Sequence, residues 1–260
     1  MQTTGSLKAG NLMRDTVTLA KRSLLKLKHN PGALVDVVFL PMIFMVMFSY
    51  IFGGAVSGSV AEYLPTIVPG IVAFALLMAT SNTGTQLRED IETGVFDRFK
   101  SLPIAKMSPL TGMLLADIVR YVIAALCAVA VGYVMGWRPE AGIAWVLAAT
   151  LLVVFVMWCV SWIFAFIGVM VKSTATISAI STLVTMVMGF ISNAIVPIDS
   201  LPDVLAAIAQ YNPVSYLVDA YRVMVTSGAF GAEAFCAVVA ACALLVVFVP
   251  ATAIAYGKKL

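Results

Sequence analysis

Residues 64–86 read LPTIVPGIVAFALLMATSNTGTQ, a largely apolar run without a charged side chain. A helix rises about 1.5 Å per residue, so about 20 apolar residues cross the hydrocarbon core of a bilayer. Five further runs have comparable length: 33–53, 107–136, 141–171, 174–196 and 231–256. The lengths of these six apolar runs therefore predict six transmembrane helices.

The composition points the same way. Hydrophobic residues make up 62% of the 260-residue chain and charged residues only 11%, whereas about a quarter of a soluble domain is charged. Mean hydropathy is +1.02. The runs lack the alternating pattern of about 10 residues that membrane barrels show. We expect one all-α integral membrane domain over residues 1–260.

The distribution of Lys and Arg predicts the orientation. Thirteen of them lie before the first run, between the second and third, between the fourth and fifth, or after the sixth, whereas the opposite loops contain only Arg138 and Arg222. Positively charged loops stay in the cytoplasm. Both termini are therefore predicted to be cytoplasmic. The net charge of +3 is read as a topology signal and not as a sign of nucleic-acid binding.

The segment 11–29, NLMRDTVTLAKRSLLKLKH, has its apolar and basic residues on opposite sides of a helix. Such a helix lies in the plane of the membrane surface and turns its basic face to anionic headgroups. Its role is either a membrane anchor or a mechanical one beside the first span.

The loop after the second run, REDIETGVFDRFKSLPIAK (88–106), is unusually rich in charge. Ile91, Val95, Phe99 and Leu102 form one apolar stripe, and Pro103 ends the pattern. We interpret 89–102 as a short amphipathic helix suited to a groove on a partner protein. The alternative is a solvated charged loop.

Three stretches carry a resemblance to a known family. ETGVFDRFKSLPI (92–104) followed by LTGMLLADIVR (110–120) resembles the intracellular loop of ABC-2 type exporter permeases, particularly the daunorubicin-resistance permease group. YLPTIVPGIVAFALLMATSNTG (63–84) is similar to the family's second span, and YNPVSYLVDAYRVMVTSG (211–228) to its signature before the last helix.

The resemblance implies a coupling helix over 89–102 that seats on a separate ATPase subunit, with 11–29 as the connecting helix beside it. Its implied ATPase contacts are Glu89, Glu92, Gly94, Phe96, Arg98 and Phe99. It also implies short helices over 197–228 that re-enter the outer leaflet, with a motif of Asn212, Pro213, Asp219 and Arg222. An ordinary extracellular cap is the alternative for that segment.

The same resemblance implies an exporter in a bacterial cell membrane, assembled from two permease halves, identical or related, and two ATPase subunits. ATP and Mg²⁺ would be bound by those subunits and not by this chain, which lacks the Gly-x-x-x-x-Gly-Lys-Ser/Thr phosphate loop. The transported compounds would be hydrophobic or amphipathic: drugs, lipids or lipid-linked glycans.

Polar residues inside the runs are costly in lipid and mark buried pairs or a pathway. Asp117 and Arg120 stand at i and i+3, where they form a structural pair or extend to the headgroups. Thr80, Asn82 and Thr83 either bond across helices or line a pathway or gate.

Other functions fit less well. An ion-coupled secondary multidrug transporter needs a carboxylate at mid-membrane, whereas the carboxylates here sit toward span ends. An intramembrane enzyme needs a nucleophile with a base or a metal, and His29 is the only histidine. A non-transporting scaffold stays open. The sequence therefore favours a permease that is not itself an enzyme.

Overall fold

The residues described by the computed structural model are 12–29, 32, 35–95, 104–105 and 107–257. Within them the chain forms nine α-helices and no strand. The helices are α1 (Leu12–His29), α2 (Leu40–Ser57), α3 (Val60–Glu92), α4 (Ser108–Val134), α5 (Ile143–Met170), α6 (Thr174–Phe190), α7 (Asp203–Gln210), α8 (Pro213–Ser227) and α9 (Ala232–Gly257). A π-helical turn, Val35–Phe39, leads into α2, and a 3₁₀ turn, Ile198–Ser200, precedes α7.

Among the described residues, five helical segments are long and apolar enough to cross a membrane: Val37–Ser57, α3, α4, α5 and α9. The predicted all-α membrane fold is confirmed to this extent. The predicted fifth span, 174–196, ends early, since α6 has 17 residues and stops at Phe190. The side chain of Asn212 donates to the carbonyls of Met188 and Ile191 there, and the chain turns away.

Helix α3 extends further than the predicted span 64–86. It begins at Val60, where the Ser59 hydroxyl accepts from the Glu62 N–H at 3.3 Å, and it stays helical through Glu92. Glu89 and Glu92 therefore belong to its last turns, and no separate helix begins at Glu89 as the predicted coupling helix would require. The Arg88–Glu92 ion pair at i, i+4 supports this extension.

Helix α3 lies at the centre of the bundle, against α2, α4, α5, α6 and α8. In its most apolar stretch 83% of the residues are buried within the protein, compared with 17% in α9. Helix α9 therefore occupies the periphery, packed against α5 and α8.

Glycines allow the closest contacts of α3. A Cβ on Gly84 would lie 2.5 Å from the Phe164 carbonyl oxygen of α5, and a Cβ on Gly168 would lie 2.5 Å from the Gly84 carbonyl oxygen. A Cβ on Gly70 would lie 1.6 Å from the Ala194 carbonyl oxygen. Small residues let helix backbones approach closely in membrane proteins. These three glycines fix where α3 meets its neighbours.

Helix α1 packs along the beginning of α4. The hydroxyls of Thr16 and Thr111 lie 2.9 Å apart, and a Cβ on Gly112 would come within 2.8 Å of the Leu19 Cβ. The first helix is thus part of the bundle at the end where α3 finishes.

Candidate functional site

The end of α3 that carries Glu92, here called the Glu92 end, brings the described part of the predicted coupling segment against the bundle. Gly94 follows α3 with a φ of +69°, a left-handed conformation that glycine adopts without strain. Its N–H donates to the Ile91 carbonyl at 3.3 Å. The chain therefore turns sharply at Gly94. Phe96, Arg98 and Phe99 lie outside the described residues.

Glu92 joins α3 to α6. Its Oε1 accepts from the Thr174 N–H at 3.0 Å and from Arg88 Nε at 3.1 Å, and its Oε2 accepts from the Thr174 hydroxyl. Thr174 is the first residue of α6. A carboxylate at a helix N-terminus satisfies free N–H groups and interacts favourably with the helix dipole. Glu92 thus caps a helix 82 positions along the chain, a role that the sequence did not indicate.

Helix α1 is tied to the same end. Lys26 Nζ donates to Asp90 Oδ1 at 3.0 Å, and Asp15 Oδ2 accepts from the Ala105 N–H at 3.2 Å. Ala105 lies between the segment 96–103 and α4, so α1 contacts the chain on both sides of that segment. Glu89 is exposed.

A buried polar cluster lies between α3 and α4. Arg120 NH1 donates to Asp117 Oδ1 at 2.8 Å and to Gln86 Oε1 at 3.1 Å. The Thr83 hydroxyl donates to Asp117 Oδ2 at 2.7 Å and lies 3.1 Å from the Tyr121 hydroxyl. Asp117 is 1% exposed and Arg120 6%. The structure thus brings the two charges together and surrounds them with neutral hydrogen-bonding groups.

The three residues predicted to line a pathway or gate have three different surroundings. Thr83 belongs to the Asp117 cluster. The Thr80 hydroxyl donates to the Leu76 carbonyl at 2.7 Å and lies 3.5 Å from the Met157 carbonyl of α5, so it lies in a helix contact. Asn82 borders a cavity. Successive helical residues point about 100° apart, so neighbours in sequence diverge.

Two cavities flank Arg120. The first, called the vestibule, has a volume of about 440 Å³ at the Glu92 end and is bordered by Lys26, Gln86, Glu89, Asp90, Asp117 and Arg120, among others. The second, called the cleft, has a volume of about 230 Å³ between α2, α3 and α6 and is bordered by Pro41, Phe44, Met78, Asn82, Arg120 and Thr185, among others. Arg120 borders both cavities.

The opposite end, called the Asn212 end, is held by the predicted motif of α8. Asn212 begins α8 by accepting from the Val214 N–H at 2.9 Å, while its amide nitrogen donates to the end of α6. Pro213 occupies the first turn, where its missing N–H costs nothing. One side chain thus connects two helix ends.

Arg222 and Asp219 complete the Asn212 end. Arg222 NH1 donates to Asp219 Oδ1 at 3.3 Å, and Arg222 NH2 donates to the carbonyls of Thr66 at 2.9 Å and Asn193 at 2.7 Å. The Asn193 amide nitrogen donates to Asp219 Oδ1 at 2.6 Å. Burial raises the pKa of the Asp219 carboxyl above its ordinary value, and the charge of Arg222 opposes that rise. Asn193 was not singled out in the sequence, and nothing in its local pattern indicates this contact.

No group of three or more His, Cys, Asp or Glu residues that could hold a metal occurs within the described residues. The polar sites are ion pairs and helix caps, and their chemistry is that of positioning and recognition.

Comparisons with known proteins place this arrangement in context. Residues 14–226 match the family model described as "ABC-2 type transporter". The chain is 37% identical over 244 residues to the daunorubicin resistance ABC transporter permease protein DrrB1 of Streptomyces coeruleorubidus, covering 94% of this chain and 86% of that protein. It is 25% identical over 230 residues to the probable doxorubicin resistance ABC transporter permease protein DrrC of Mycobacterium tuberculosis, covering 84% of this chain and 79% of that protein.

Proposed function

The chain belongs to the ABC-2 type transporter family, and we propose that it exports hydrophobic or amphipathic compounds, driven by a separate ATP-hydrolysing subunit. The identity of 37% to a daunorubicin resistance permease over most of both chains carries this proposal. The chain is a multi-pass permease subunit and not itself an enzyme. The compound class, its direction of transport and the ATPase partner are the proposed parts.

For the topology, we propose six spans, with α6 as the short fifth span and both termini in the cytoplasm. The Lys and Arg distribution supports placing the Glu92 end on the cytoplasmic side. Helix α1 would lie at that surface, where its exposed Leu12, Met13 and Val17 contact lipid. Helices α7 and α8 would dip into the outer leaflet at the Asn212 end.

For the coupling, we propose that Glu89, Gly94 and the following residues 96–102 contact the ATPase subunit. The contacts at the Glu92 end support a route for the resulting motion. A displacement of this segment reaches α6 through Glu92 and Thr174, and reaches α1 through Asp90 and Lys26. Two permease halves, each engaged by one ATPase subunit, would complete the transporter.

For the compound's path, we propose that the vestibule and the cleft are parts of the route. The vestibule combines charged and apolar residues at the proposed cytoplasmic side, and the cleft is largely apolar with a few polar groups. Ligand sites commonly combine these two features. Amphipathic compounds match such surfaces.

The test combines co-purification with efflux. An ABC-type ATPase subunit from the same organism is co-expressed with the native permease and with the double variant Glu89→Lys, Phe96→Ala. We expect that the double variant loses both the bound ATPase and efflux. The matched control is Glu62→Lys, which introduces the same charge change at the other end of α3. Native ATPase binding by the double variant would contradict the placement of the coupling contacts.

An ion-coupled secondary transporter is the second candidate, favoured by the buried carboxylate of Asp117. Its bonds to Arg120 and Thr83 favour a structural role instead. Efflux measurements separate the two candidates. Export should stop when the ATPase is inactivated and continue when the ion gradients are collapsed, whereas a secondary transporter shows the reverse.

A further inference from the structure

The side of α1 that faces away from α4 combines basic and apolar side chains. Arg14, Val17, Lys21 and Leu25 are all exposed, Val17 by 57% and Leu25 by 48%. At about 100° per helical residue, these four positions fall within an arc of about 80° and form one line along the helix, here called the α1 stripe. The pattern of 11–29 alone predicts basic and apolar residues on opposite sides, whereas the structure exposes both on this side.

The charges of the α1 stripe are not balanced by the part of the protein that the structure describes. Within that part neither Arg14 nor Lys21 forms an ion pair, whereas Lys26, outside the stripe, binds Asp90 at 3.0 Å. Asp15, the only acidic residue of α1, bonds instead to the chain just before α4. The α1 stripe therefore presents two positive charges to its surroundings.

The packing of α1 puts the stripe at the edge of the membrane. The Thr16 hydroxyl lies 2.9 Å from the hydroxyl of Thr111, in the first turn of α4, and Ala20 is buried on the same side of α1. Helix α4 is one of the helices long and apolar enough to span a bilayer. The α1 stripe thus points away from the bundle at the level where this span begins.

An anionic lipid surface fits both kinds of side chain in the stripe. Phosphate oxygens accept charge-assisted hydrogen bonds from Arg14 and Lys21, and acyl chains cover Val17 and Leu25. Long basic side chains extend their charged ends to the headgroups while their stems stay on apolar surface. The cytoplasmic leaflet carries a negative surface potential that attracts Lys and Arg close to it. Headgroups without net charge would leave the two positive charges unbalanced.

We propose that anionic phospholipids of the cytoplasmic leaflet bind along the α1 stripe and hold α1 in place, so that lipid composition regulates coupling to the ATPase subunit. Helix α1 is bonded to Asp90 and to Ala105, on the two sides of the segment 96–103. Anchoring α1 at the lipid surface therefore restrains the ends of that segment. The lipid contact itself needs no transport, whereas its effect on coupling rests on the proposed function.

Fluorescence quenching by brominated lipids tests the contact on the full chain without an ATPase. A fluorophore is attached at Thr18→Cys, an exposed position beside the stripe, in a background without the four native cysteines. The vesicles contain a minority of phosphatidylglycerol in phosphatidylcholine, and bromine is placed on the chains of one lipid or the other. Each basic residue near an anionic surface contributes roughly a fivefold preference, so we expect phosphatidylglycerol to be enriched roughly 5- to 25-fold over its mole fraction.

Three variants separate the stripe from general surface charge. Arg14→Gln combined with Lys21→Gln removes both charges, so quenching by each brominated lipid should follow its mole fraction. Arg14→Lys combined with Lys21→Arg keeps both charges and should retain the enrichment. Lys172→Gln is the matched control, because Lys172 is also exposed but lies in the turn between α5 and α6. This control should leave the enrichment unchanged.

The effect on coupling is measured with an ABC-type ATPase subunit reconstituted beside the permease. Omission of phosphatidylglycerol should lower efflux by the native chain roughly fivefold or more. Efflux by the double Gln variant should already be low and should not respond to phosphatidylglycerol. The variant with exchanged basic residues should respond as the native chain does.

Several outcomes would overturn the proposal. Quenching in proportion to mole fraction in the native chain, or an equal loss of enrichment in Lys172→Gln, would remove the specific lipid contact. Absence of a lipid preference, with loss of the co-purified ATPase from the double Gln variant in detergent, would assign the stripe to the ATPase subunit. Lipid enrichment with efflux independent of phosphatidylglycerol would overturn the regulation of coupling. Absence of efflux from every vesicle, with the enrichment intact, would contradict the exporter and leave the lipid contact standing.

Discussion

The carboxylate of Glu92, the last residue of α3, accepts hydrogen bonds from both the backbone N–H and the hydroxyl of Thr174, the first residue of α6. This contact joins the end of the most buried helix to the beginning of a helix with a largely exposed side. Since Glu92 lies between Glu89 and Gly94, two of the proposed ATPase contacts, it connects that segment directly to α6.

We predict that Glu92→Ala separates ATPase binding from export. Without the carboxylate the start of α6 loses its cap, so movement of the loop no longer reaches α6. Efflux should fall by roughly 5- to 150-fold, the typical range of coupling between two sites, while the ATPase still co-purifies. Thr174→Val should have the same direction of effect.

The matched control for this prediction is Ser173→Ala. Ser173 precedes Thr174 but makes no capping bond through its side chain. Native efflux by Glu92→Ala, or an equal loss in Ser173→Ala, would contradict a coupling role for the contact.

We predict that substitutions of Asp117 and Arg120 have non-additive effects on the free energy of unfolding. Removing one charge leaves the other buried without its partner, which costs about 3–5 kcal/mol, whereas removing both avoids that cost. Asp117→Asn and Arg120→Gln should each lower the free energy of unfolding in detergent more than the double variant does. A double variant that is less stable than either single variant would mean that the pair does not act as a unit.

Gly70 should not tolerate a side chain. In Gly70→Ala the new Cβ would meet the Ala194 carbonyl 1.6 Å away, so α3 and the turn after α6 must separate. We expect a loss of folded, monodisperse protein on size-exclusion chromatography. Gly54→Ala is the control, because a Cβ at Gly54 meets nothing within 4 Å. Equal yields of the two variants would refute the close approach.

Arg222→Lys should weaken the Asn212 end although it keeps the charge. Arg222 uses two nitrogens to reach Asp219 and the carbonyls of Thr66 and Asn193, and a single ammonium cannot reproduce this fork. The loss of one such charge-assisted bond costs about 1.5–3 kcal/mol. Thermal unfolding should show a lower midpoint for Arg222→Lys, with the exposed Arg138→Lys as the control.

The proposed topology predicts which positions face which side of the membrane. In a background without the four native cysteines, Thr93→Cys should react with an impermeant maleimide only from the cytoplasmic side. Tyr211→Cys, which replaces a residue that is 82% exposed at the Asn212 end, should react only from outside. Labelling of both positions from the same side would refute the arrangement of the two ends.

The predicted helices were found because membrane helices are specified by local chain composition. A run of about 20 apolar residues is helical in lipid wherever its neighbours lie, since each backbone group must be satisfied within its own segment. The Asp117–Arg120 contact was also accessible, because residues three positions apart share a helix face. The expected membership of the chain in the ABC-2 type transporter family was confirmed by the match over residues 14–226.

The helix ends were less predictable, because they depend on distant side chains. Helix α3 continues to Glu92 in spite of its charges, since Arg88 and Glu92 pair along it. Helix α6 stops at Phe190 because the side chain of Asn212, far along the chain, donates hydrogen bonds to the carbonyls of Met188 and Ile191. The four-residue spacing of Arg88 and Glu92 is present in the local sequence, whereas the contact of Asn212 with the end of α6 leaves no local pattern.

The sequence by itself thus determined a helical membrane permease and the positions of its polar residues. Only the tertiary structure decided what those residues contact. Thr80 lies in a helix interface, Asn82 borders a cavity, and Thr83 donates a hydrogen bond to the Asp117–Arg120 pair. The physical reason is that an apolar run specifies a membrane helix through its length, and length is a property of the local sequence. A polar side chain acts through the atoms around it, and these are supplied by other helices.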